Sequence, residues 1–113
     1  VREARQDDCA ALVALIRQID FPVDEAGVAE RLKLLDDRGE PVLVAERDGA
    51  VLGMLNWHVM PTIHRPRPVG RIVALVVDKA ERGRGIGTAI VEHAERRMRE
   101  CGCEKMEVTS NLK

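Results

Sequence analysis

The chain has 113 residues, enough for one hydrophobic core but not for two. Its 18 basic and 19 acidic residues nearly cancel, so a broad nucleic-acid or membrane surface is not expected. No apolar stretch approaches the ~20 residues of a membrane span, and no signal-peptide pattern opens the chain. Cys9, Cys101 and Cys103 have neither disulfide-framework nor zinc-site spacing, so we expect no metal and a reducing, cytoplasmic location.

The first third of the sequence predicts a short strand followed by two amphipathic helices. Residues 1–5 suit the strand, and Asp7 and Asp8 are good helix caps. Apolar residues at positions 12, 15, 16 and 19 then recur with helical spacing. Asp24 can cap a second helix, whose apolar stripe consists of Val28, Leu32 and Leu35.

A β-hairpin and a longer strand are predicted in the middle of the chain. Residues 42–47 and 51–59 have strand composition, and Asp48-Gly49 between them favours a type I′ turn with positive φ at both positions. A proline-rich loop follows at 61–68. The strand expected at 69–77 is nearly all apolar from Ile72 onward, which predicts burial on both faces.

The stretch Arg82-Gly83-Arg84-Gly85-Ile86-Gly87-Thr88 follows that strand and opens a third amphipathic helix. Glycines at alternate positions let main-chain N–H groups approach a ligand closely. A helix that begins at Gly87 or Thr88 adds unpaired N–H groups and the positive end of its dipole. The stretch therefore predicts an anion site, most often for phosphate, although a glycine-rich turn without a ligand would have the same composition.

The order of elements predicts the fold class. Gly102 suits the position after the third helix, and residues 105–109 suit a last strand. The resulting order, β-α-α-β-β-β-α-β, predicts a mixed α/β sheet that is mostly antiparallel. Its last strand, helix and strand should form one right-handed parallel crossover.

The spacing of the glycines distinguishes among three known phosphate-binding motifs. A Walker loop is absent, because no Lys-Ser or Lys-Thr follows the glycines. A dinucleotide fingerprint would need glycine where Thr88 or Ile90 stands. The pattern that fits is [Arg/Gln]-x-x-Gly-x-[Gly/Ala], from Arg82 to Gly87. With the preceding strand, hairpin and two helices, this pattern resembles the coenzyme A site of the GNAT superfamily of N-acetyltransferases, over essentially the whole chain.

The resemblance implies a single GNAT-like acyl-CoA N-acyltransferase domain over residues 1–113. The acetyl group of acetyl-CoA would pass directly to a primary amine of a small molecule or peptide. The pyrophosphate would lie against the glycine loop, the pantetheine arm would pair with the strand at 75–77, and a main-chain N–H near Val76 would stabilise the oxyanion. The implied coenzyme-binding residues are Leu75, Val76, Val77, Arg82, Gly83, Arg84, Gly85, Ile86, Gly87, Thr88 and Asn111.

The groups that handle protons are not identified by the resemblance. The attacking amine must be neutral, so a base or a chain of waters is expected. The candidates are Glu46, His58, His64, Glu107 and, with a weaker claim, His93. Many members of the family carry a tyrosine beyond the last predicted strand to protonate the leaving thiolate, and this sequence has no tyrosine. Since the sequence opens on Val1 and stops soon after that strand, we expect it to be C-terminally incomplete.

Two other functions remain compatible with these residues. One is a coenzyme A-binding or regulatory module without catalysis, and the other is a nucleotide-binding protein of another class. The expected partner is an amine acceptor, with no nucleic acid and no membrane, and homodimerisation is left open. By analogy with the family, the first two helices and the proline-rich loop would line the side of the active site that binds the acceptor. In that loop His64, Arg65 and Arg67 would favour an acceptor that carries a carboxylate or phosphate.

Overall fold

A mixed sheet with helices on both faces is the framework of the structure, a computed structural model that describes residues 1–108. Within these residues the strands β1 to β5 lie side by side in chain order. Neighbours from β1 to β4 are antiparallel, and β4 and β5 are parallel, which confirms the predicted sheet and crossover. The strands are β1 (Arg2–Glu3), β2 (Leu43–Arg47), β3 (Ala50–Met60), β4 (Val69–Val77) and β5 (Lys105–Val108); the helices are α1 (Cys9–Arg17), α2 (Glu25–Asp37) and α3 (Ile86–Glu100).

The sheet separates two hydrophobic clusters. On one face α1 and α2 pack against strand residues that include Val44, Met54 and Val76. On the other face α3 packs around Leu43 and Trp57. Adjacent residues such as Leu43 and Val44 belong to opposite clusters because side chains alternate along a strand. Within the described residues, no helix is both long and apolar enough to span a membrane.

The termini of the helices mostly follow the sequence signals. Asp24 caps α2 by accepting a hydrogen bond from the Gly27 N–H (2.7 Å). Gly102, at φ 91°, follows Cys101, the C-cap of α3, as predicted, and the first residue of α3, Ile86, comes one position before the predicted start. The prediction that Asp8 caps α1 is wrong for its side chain. That carboxylate accepts from the Arg5 N–H (2.7 Å) instead, which closes the short 3₁₀ turn before α1.

The β2–β3 hairpin has the predicted turn. Asp48 and Gly49 have φ values of 53° and 83°, and positive φ at both positions is what a type I′ turn requires.

A β-bulge in β4 separates two differently paired halves of that strand. Val73 is the additional residue, because Ala74 and Ile72 pair with consecutive residues of β3. A bulge bends its strand and increases the local twist. Within residues 1–108, β4 pairs with β5 from Val69 to Ile72. Residues 75–77 pair with β3 and, among the described residues, with no strand on their outer side. The prediction of burial on both faces is therefore wrong for residues 73–75, which are only half-buried.

Gly70 of β4 marks the closest approach of α3 to the sheet. A Cβ atom there would lie 2.3 Å from the Met98 Sδ, so Met98 would have to move. We expect Gly70→Ala to lower the free energy of unfolding by about 1–3 kcal/mol, measured by urea denaturation. In a Met98→Ala background the same substitution should cost clearly less, since the thioether is gone. An equal cost in both backgrounds would show that this contact does not limit the packing of α3.

Candidate active site

A cavity of 260 Å³ lies between the C-terminal end of β4 and the N-terminus of α3. Its lining residues are Leu75, Val77, Glu81, Arg82, Gly83, Gly85, Ile86, Gly87 and Thr88. All of them except Glu81 belong to the coenzyme-binding set predicted from the sequence. Two stretches that a turn separates in the sequence thus face each other across one space, which we call the coenzyme cavity.

The glycine loop presents main-chain N–H groups to this cavity. Gly83 and Gly85 have φ values of 83° and 82°, a left-handed conformation that costs glycine no steric strain. Gly85 is the N-cap of α3, and its carbonyl accepts from the Ala89 N–H (3.1 Å). The N–H groups of residues 86–88 precede that bond and have no acceptor inside the helix. With the positive end of the α3 dipole, they form a seat suited to a phosphate.

The two loop arginines have different roles in the structure. Arg82 Nε donates to the main-chain carbonyl of Val77 (3.2 Å), which ties the loop to the end of β4. Arg84 does not line the cavity, and its side chain is 65% exposed. Its guanidinium lies 3.7 Å from Glu81, a weak surface contact that it can leave at little cost. Arg84 is therefore the loop cation that can turn toward a bound anion.

A second cavity, also of 260 Å³, lies on the opposite face of β4 beneath α1 and α2. We call it the apolar groove, because all of its lining residues except Arg31 and Asn56 are apolar. Val76 lines this groove, whereas Leu75 and Val77 line the coenzyme cavity. This division follows from the alternation of side chains along a strand. The two cavities therefore flank the same three residues of β4.

Glu46, a candidate base, belongs to an ion-pair cluster at the N-terminus. Arg2 donates from its Nε to Glu46 (3.1 Å) and from its Nη1 to Asp8 (2.8 Å). The hydrogen bonds from Arg2 hold the pKa of Asp8 below its usual value despite burial. Glu46 lines neither the coenzyme cavity nor the apolar groove, so its contacts indicate a structural role.

His58 forms a hydrogen-bonded pair with the buried Glu40. His58 Nδ1 lies 2.8 Å from Glu40 Oε1, and the Val59 N–H donates to Glu40 Oε2 (2.7 Å). Burial works to raise the pKa of Glu40, but these hydrogen bonds and the nearby Arg38 outweigh it and lower that pKa. An ionised Glu40 favours a proton on Nδ1 and leaves Nε2 of His58 as the ring's acceptor. Strand alternation places His58 on the same face of β3 as Asn56 of the apolar groove.

The other proton-transfer candidates lie outside both cavities. Glu107 accepts from Arg71 (2.9 Å) across the β4–β5 pair, and this hydrogen bond lowers the pKa of Glu107. His64 is exposed in the β3–β4 loop. His93 lies on α3, across the sheet from the groove, and burial lowers its pKa. Asn111 is outside the described residues. Within residues 1–108, no cluster of three His, Cys, Asp or Glu side chains could hold a metal ion.

Two polar residues of the groove, Arg31 and Asn56, belong to no motif in the sequence, although the hydrophobic pattern around each of them is interrupted. Side chains of β3 alternate between the two faces of the sheet. Those on the face of Leu55 and Trp57 are all apolar, whereas Asn56 places a polar side chain on the opposite face. A polar residue at such a position indicates a face that is not pure core. Arg31 stands three residues after Val28 and four before Leu35, at the border of the apolar stripe of α2.

The comparison with protein families identifies the group to which this fold belongs. The model of the Acetyltransferase (GNAT) family matches residues 5–113. The chain belongs to the GNAT acetyltransferase family. Among curated proteins, aminoalkylphosphonate N-acetyltransferase of Salmonella typhimurium strain LT2 is 30% identical over 118 residues, an alignment that covers 100% of this chain and 75% of that protein. The chain is accordingly an acetyl-CoA-dependent N-acetyltransferase of the GNAT type.

Solved structures show the same fold at lower identity. Glucosamine-6-phosphate N-acetyltransferase from Arabidopsis thaliana superposes with a TM-score of 0.87 at 21% identity, over 96% of this chain and 79% of that one. A GNAT family acetyltransferase from Staphylococcus aureus subsp. aureus USA300_TCH1516 gives 0.84 at 19% identity, over 96% and 84%. These likenesses confirm the predicted GNAT fold.

Gly87 offers a direct test of the coenzyme cavity. A Cβ atom at this position would meet Val77 and Leu75 at 3.5 and 3.9 Å, which is ordinary contact, so Gly87→Glu should fold normally. Its carboxylate would repel the pyrophosphate, and we expect coenzyme A affinity to fall by about a hundredfold or more in calorimetry. Ala89→Glu is the matched control, since Ala89 is exposed on the same helical turn and does not line the cavity. Equal coenzyme A affinity in the two variants would show that the coenzyme does not bind in this cavity.

The pair of Glu40 and His58 predicts a pH-dependent contribution to stability. Because the pKa of Glu40 is lowered in the folded state, its stabilising effect is full above the unfolded pKa and is lost as the pH falls through the folded value. We expect Glu40→Gln to cost about 1–3 kcal/mol in urea unfolding at pH 7, with a smaller difference from wild type at pH 3. Glu30→Gln, at an exposed position of α2, is the control and should change little at either pH. A pH-independent cost for Glu40→Gln would contradict this account.

Proposed function

We propose that this chain, acting as one domain, transfers the acetyl group of acetyl-CoA directly to the primary amine of a small molecule. The observation that carries the proposal is the pair of cavities on opposite faces of β4, which meet at residues 75–77. One cavity presents main-chain N–H groups to an anion, and the other offers an apolar wall to a second ligand. Two ligands can thus approach one strand edge from its two sides.

The pairing of β4 at residues 75–77 supports the placement of the coenzyme arm. Beyond the bulge at Val73, residues 75–77 pair with β3 alone among the described residues. An amide-containing arm can add to such an edge as a strand would. Its pyrophosphate would then lie at residues 86–88 and its thioester beside Val76. In this arrangement Arg84 would reach a phosphate, and Asn111 would contact the arm.

The reaction needs a hydrogen-bond donor that stabilises the oxyanion and a group that accepts the proton lost by the amine. The amine nitrogen forms a bond to the thioester carbonyl carbon, the carbon–sulfur bond breaks, and the thiolate leaves. The Val76 N–H would stabilise the oxyanion that forms in between. Of the candidate bases, His58 lies nearest to the groove, about 7 Å beyond Asn56 along β3. It would accept the proton of the amine through water held between them.

Two observations favour a small acceptor over a protein. At 260 Å³ the groove is smaller than the ~300–1,000 Å³ of most small-molecule sites. The curated relative is named for a small aminoalkylphosphonate substrate. A cytoplasmic location would suit both an acetyl-CoA enzyme and three cysteines that are all unpaired in the structure.

The alternative is a coenzyme A-binding module without catalysis. It is favoured by the contacts of Glu46, His58 and Glu107, each of which is hydrogen-bonded to another ionisable side chain. The nucleotide-binding alternative from another class is excluded by membership of the GNAT family.

Release of the coenzyme A thiol from acetyl-CoA tests the two functions. We expect acetyl-CoA-dependent thiol release with a panel of small primary amines and none with their N-acetylated counterparts, which carry no free amine. Mass spectrometry should find one acetyl group added to each amine consumed. Folded protein that binds coenzyme A and acetylates no member of the panel would support the non-catalytic module instead.

A further inference from the structure

Two polar side chains, those of Arg31 and Asn56, line the apolar groove. Neither Arg31 nor the Asn56 amide forms a hydrogen bond or ion pair with another described residue. Arg31 is exposed and Asn56 is half-buried, so a ligand in the groove can reach both side chains. Ligand sites of this kind combine apolar walls with a few polar groups that fix orientation and specificity. Arg31 and Asn56 therefore mark what the groove recognises.

Arg31 lies at the rim of the groove, on α2. A Cβ atom placed on Gly27 would be 3.2 Å from Nη2 and 3.3 Å from Nη1 of Arg31, so the guanidinium lies over the first turn of the helix. The same point is 3.1 Å from Oδ1 of Asp24, which is engaged in capping by the Gly27 N–H (2.7 Å). No ion pair within 4.0 Å joins Arg31 to Asp24 or to another carboxylate of residues 1–108. Since Arg31 is exposed, an anion can reach its guanidinium without breaking an ion pair among these residues.

The floor of the groove lies on the sheet, opposite Arg31. Asn56 of β3 pairs with Ala74 of β4. Ala74 lies two residues before Val76 in the same strand. This end of the groove is next to the proposed thioester, so the reacting amine must lie here. Phe21, which is 48% exposed, contributes an apolar wall. A ligand that fills the groove thus meets an amide at its reacting end, apolar walls along its length and a cation at its far end.

The arginines in and near the proline-rich loop are less suited than Arg31 to bind the far end of a ligand in the apolar groove. Arg67 pairs with Glu104 (2.8 Å), and Arg71 pairs with Glu107 (2.9 Å). Neither these two nor Arg65 lines the groove. The expectation that His64, Arg65 and Arg67 select an anionic acceptor is therefore replaced by the same role for Arg31, since none of those three residues lines the groove.

We infer that Arg31 binds an oxyanion at the far end of the acceptor and that Asn56 orients the part next to the amine. The acceptor class is then a primary amine joined by an apolar spacer to a carboxylate or a phosphonate. A guanidinium suits both anions, because its parallel N–H groups match two oxygens at once. This inference rests on the proposed function, since it takes the groove as the acceptor site.

The test compares matched acceptors that differ only in the terminal group. The probes are 6-aminohexanoate, 5-aminopentylphosphonate and the neutral 6-aminohexanol, and the two anions show which oxyanion the groove prefers. Binding to the protein saturated with coenzyme A is measured by calorimetry, and acetylation is measured separately by thiol release. Arg31→Met keeps an apolar stem and removes the charge, while Arg31→Lys keeps the charge without the paired donors. Arg96→Met, at an exposed position of α3 on the other face of the sheet, controls for net charge.

We expect Arg31→Met to weaken binding of the anionic probes by about tenfold or more and to leave 6-aminohexanol unchanged. Arg31→Lys should lie between wild type and Arg31→Met, and Arg96→Met should equal wild type. Equal losses for anionic and neutral probes, or none for either, would overturn the inference. Because binding is measured apart from turnover, a protein that binds the anionic probes through Arg31 but never acetylates them would refute the proposed function and leave the assignment of Arg31 standing.

Discussion

The extra residue in β4 is the constraint on which the rest of the site depends. An inserted residue cannot be absorbed by a regular ladder, so the strand bends and its pairing changes at that point. In this protein the change falls at Val73, next to Ile72, which pairs with Val108, the last described residue of β5. Among residues 1–108, the segment at 75–77 beyond the bulge pairs with β3 alone. The bulge thus separates the part of β4 that pairs with both neighbouring strands from the part that lines the two cavities.

Two cavities flank the bent strand because its side chains alternate. Leu75 and Val77 face the space in front of α3, and Val76 faces the space beneath α1 and α2. α3 must begin close to the strand for its N–H groups to share the first space, and Gly83 and Gly85 allow the tight left-handed turns that bring it there. On the same face Gly70 lets Met98 and the rest of α3 lie almost against the sheet. Glycine therefore serves two separate needs, a tight turn and close packing.

Most ionisable groups that the sequence offers for catalysis are already engaged in the folded protein. Arg2 binds Glu46, and Arg71 binds Glu107. The hydrogen bond from Arg71 lowers the pKa of Glu107, which makes that carboxylate a poorer proton acceptor at neutral pH. Glu40 is engaged by His58 Nδ1 (2.8 Å) and by the Val59 N–H (2.7 Å). The pairings themselves depend on residues that are 36 to 44 positions apart in the sequence, or 18 in the case of Glu40 and His58.

Local signals in the sequence determined the elements and one of the two cavities. The period of the apolar residues, the caps at Asp24 and Gly102 and the Asp48-Gly49 turn act within a few residues, so each could be interpreted without the fold. The glycine loop likewise carries its own chemistry, since N–H groups at a helix start attract anions wherever the helix lies. The bulge at Val73, the partners of the charged residues and the apolar groove were decided only by the tertiary structure. Each of them arises where segments distant in sequence meet across the sheet, and no local pattern specifies which side chains will meet there.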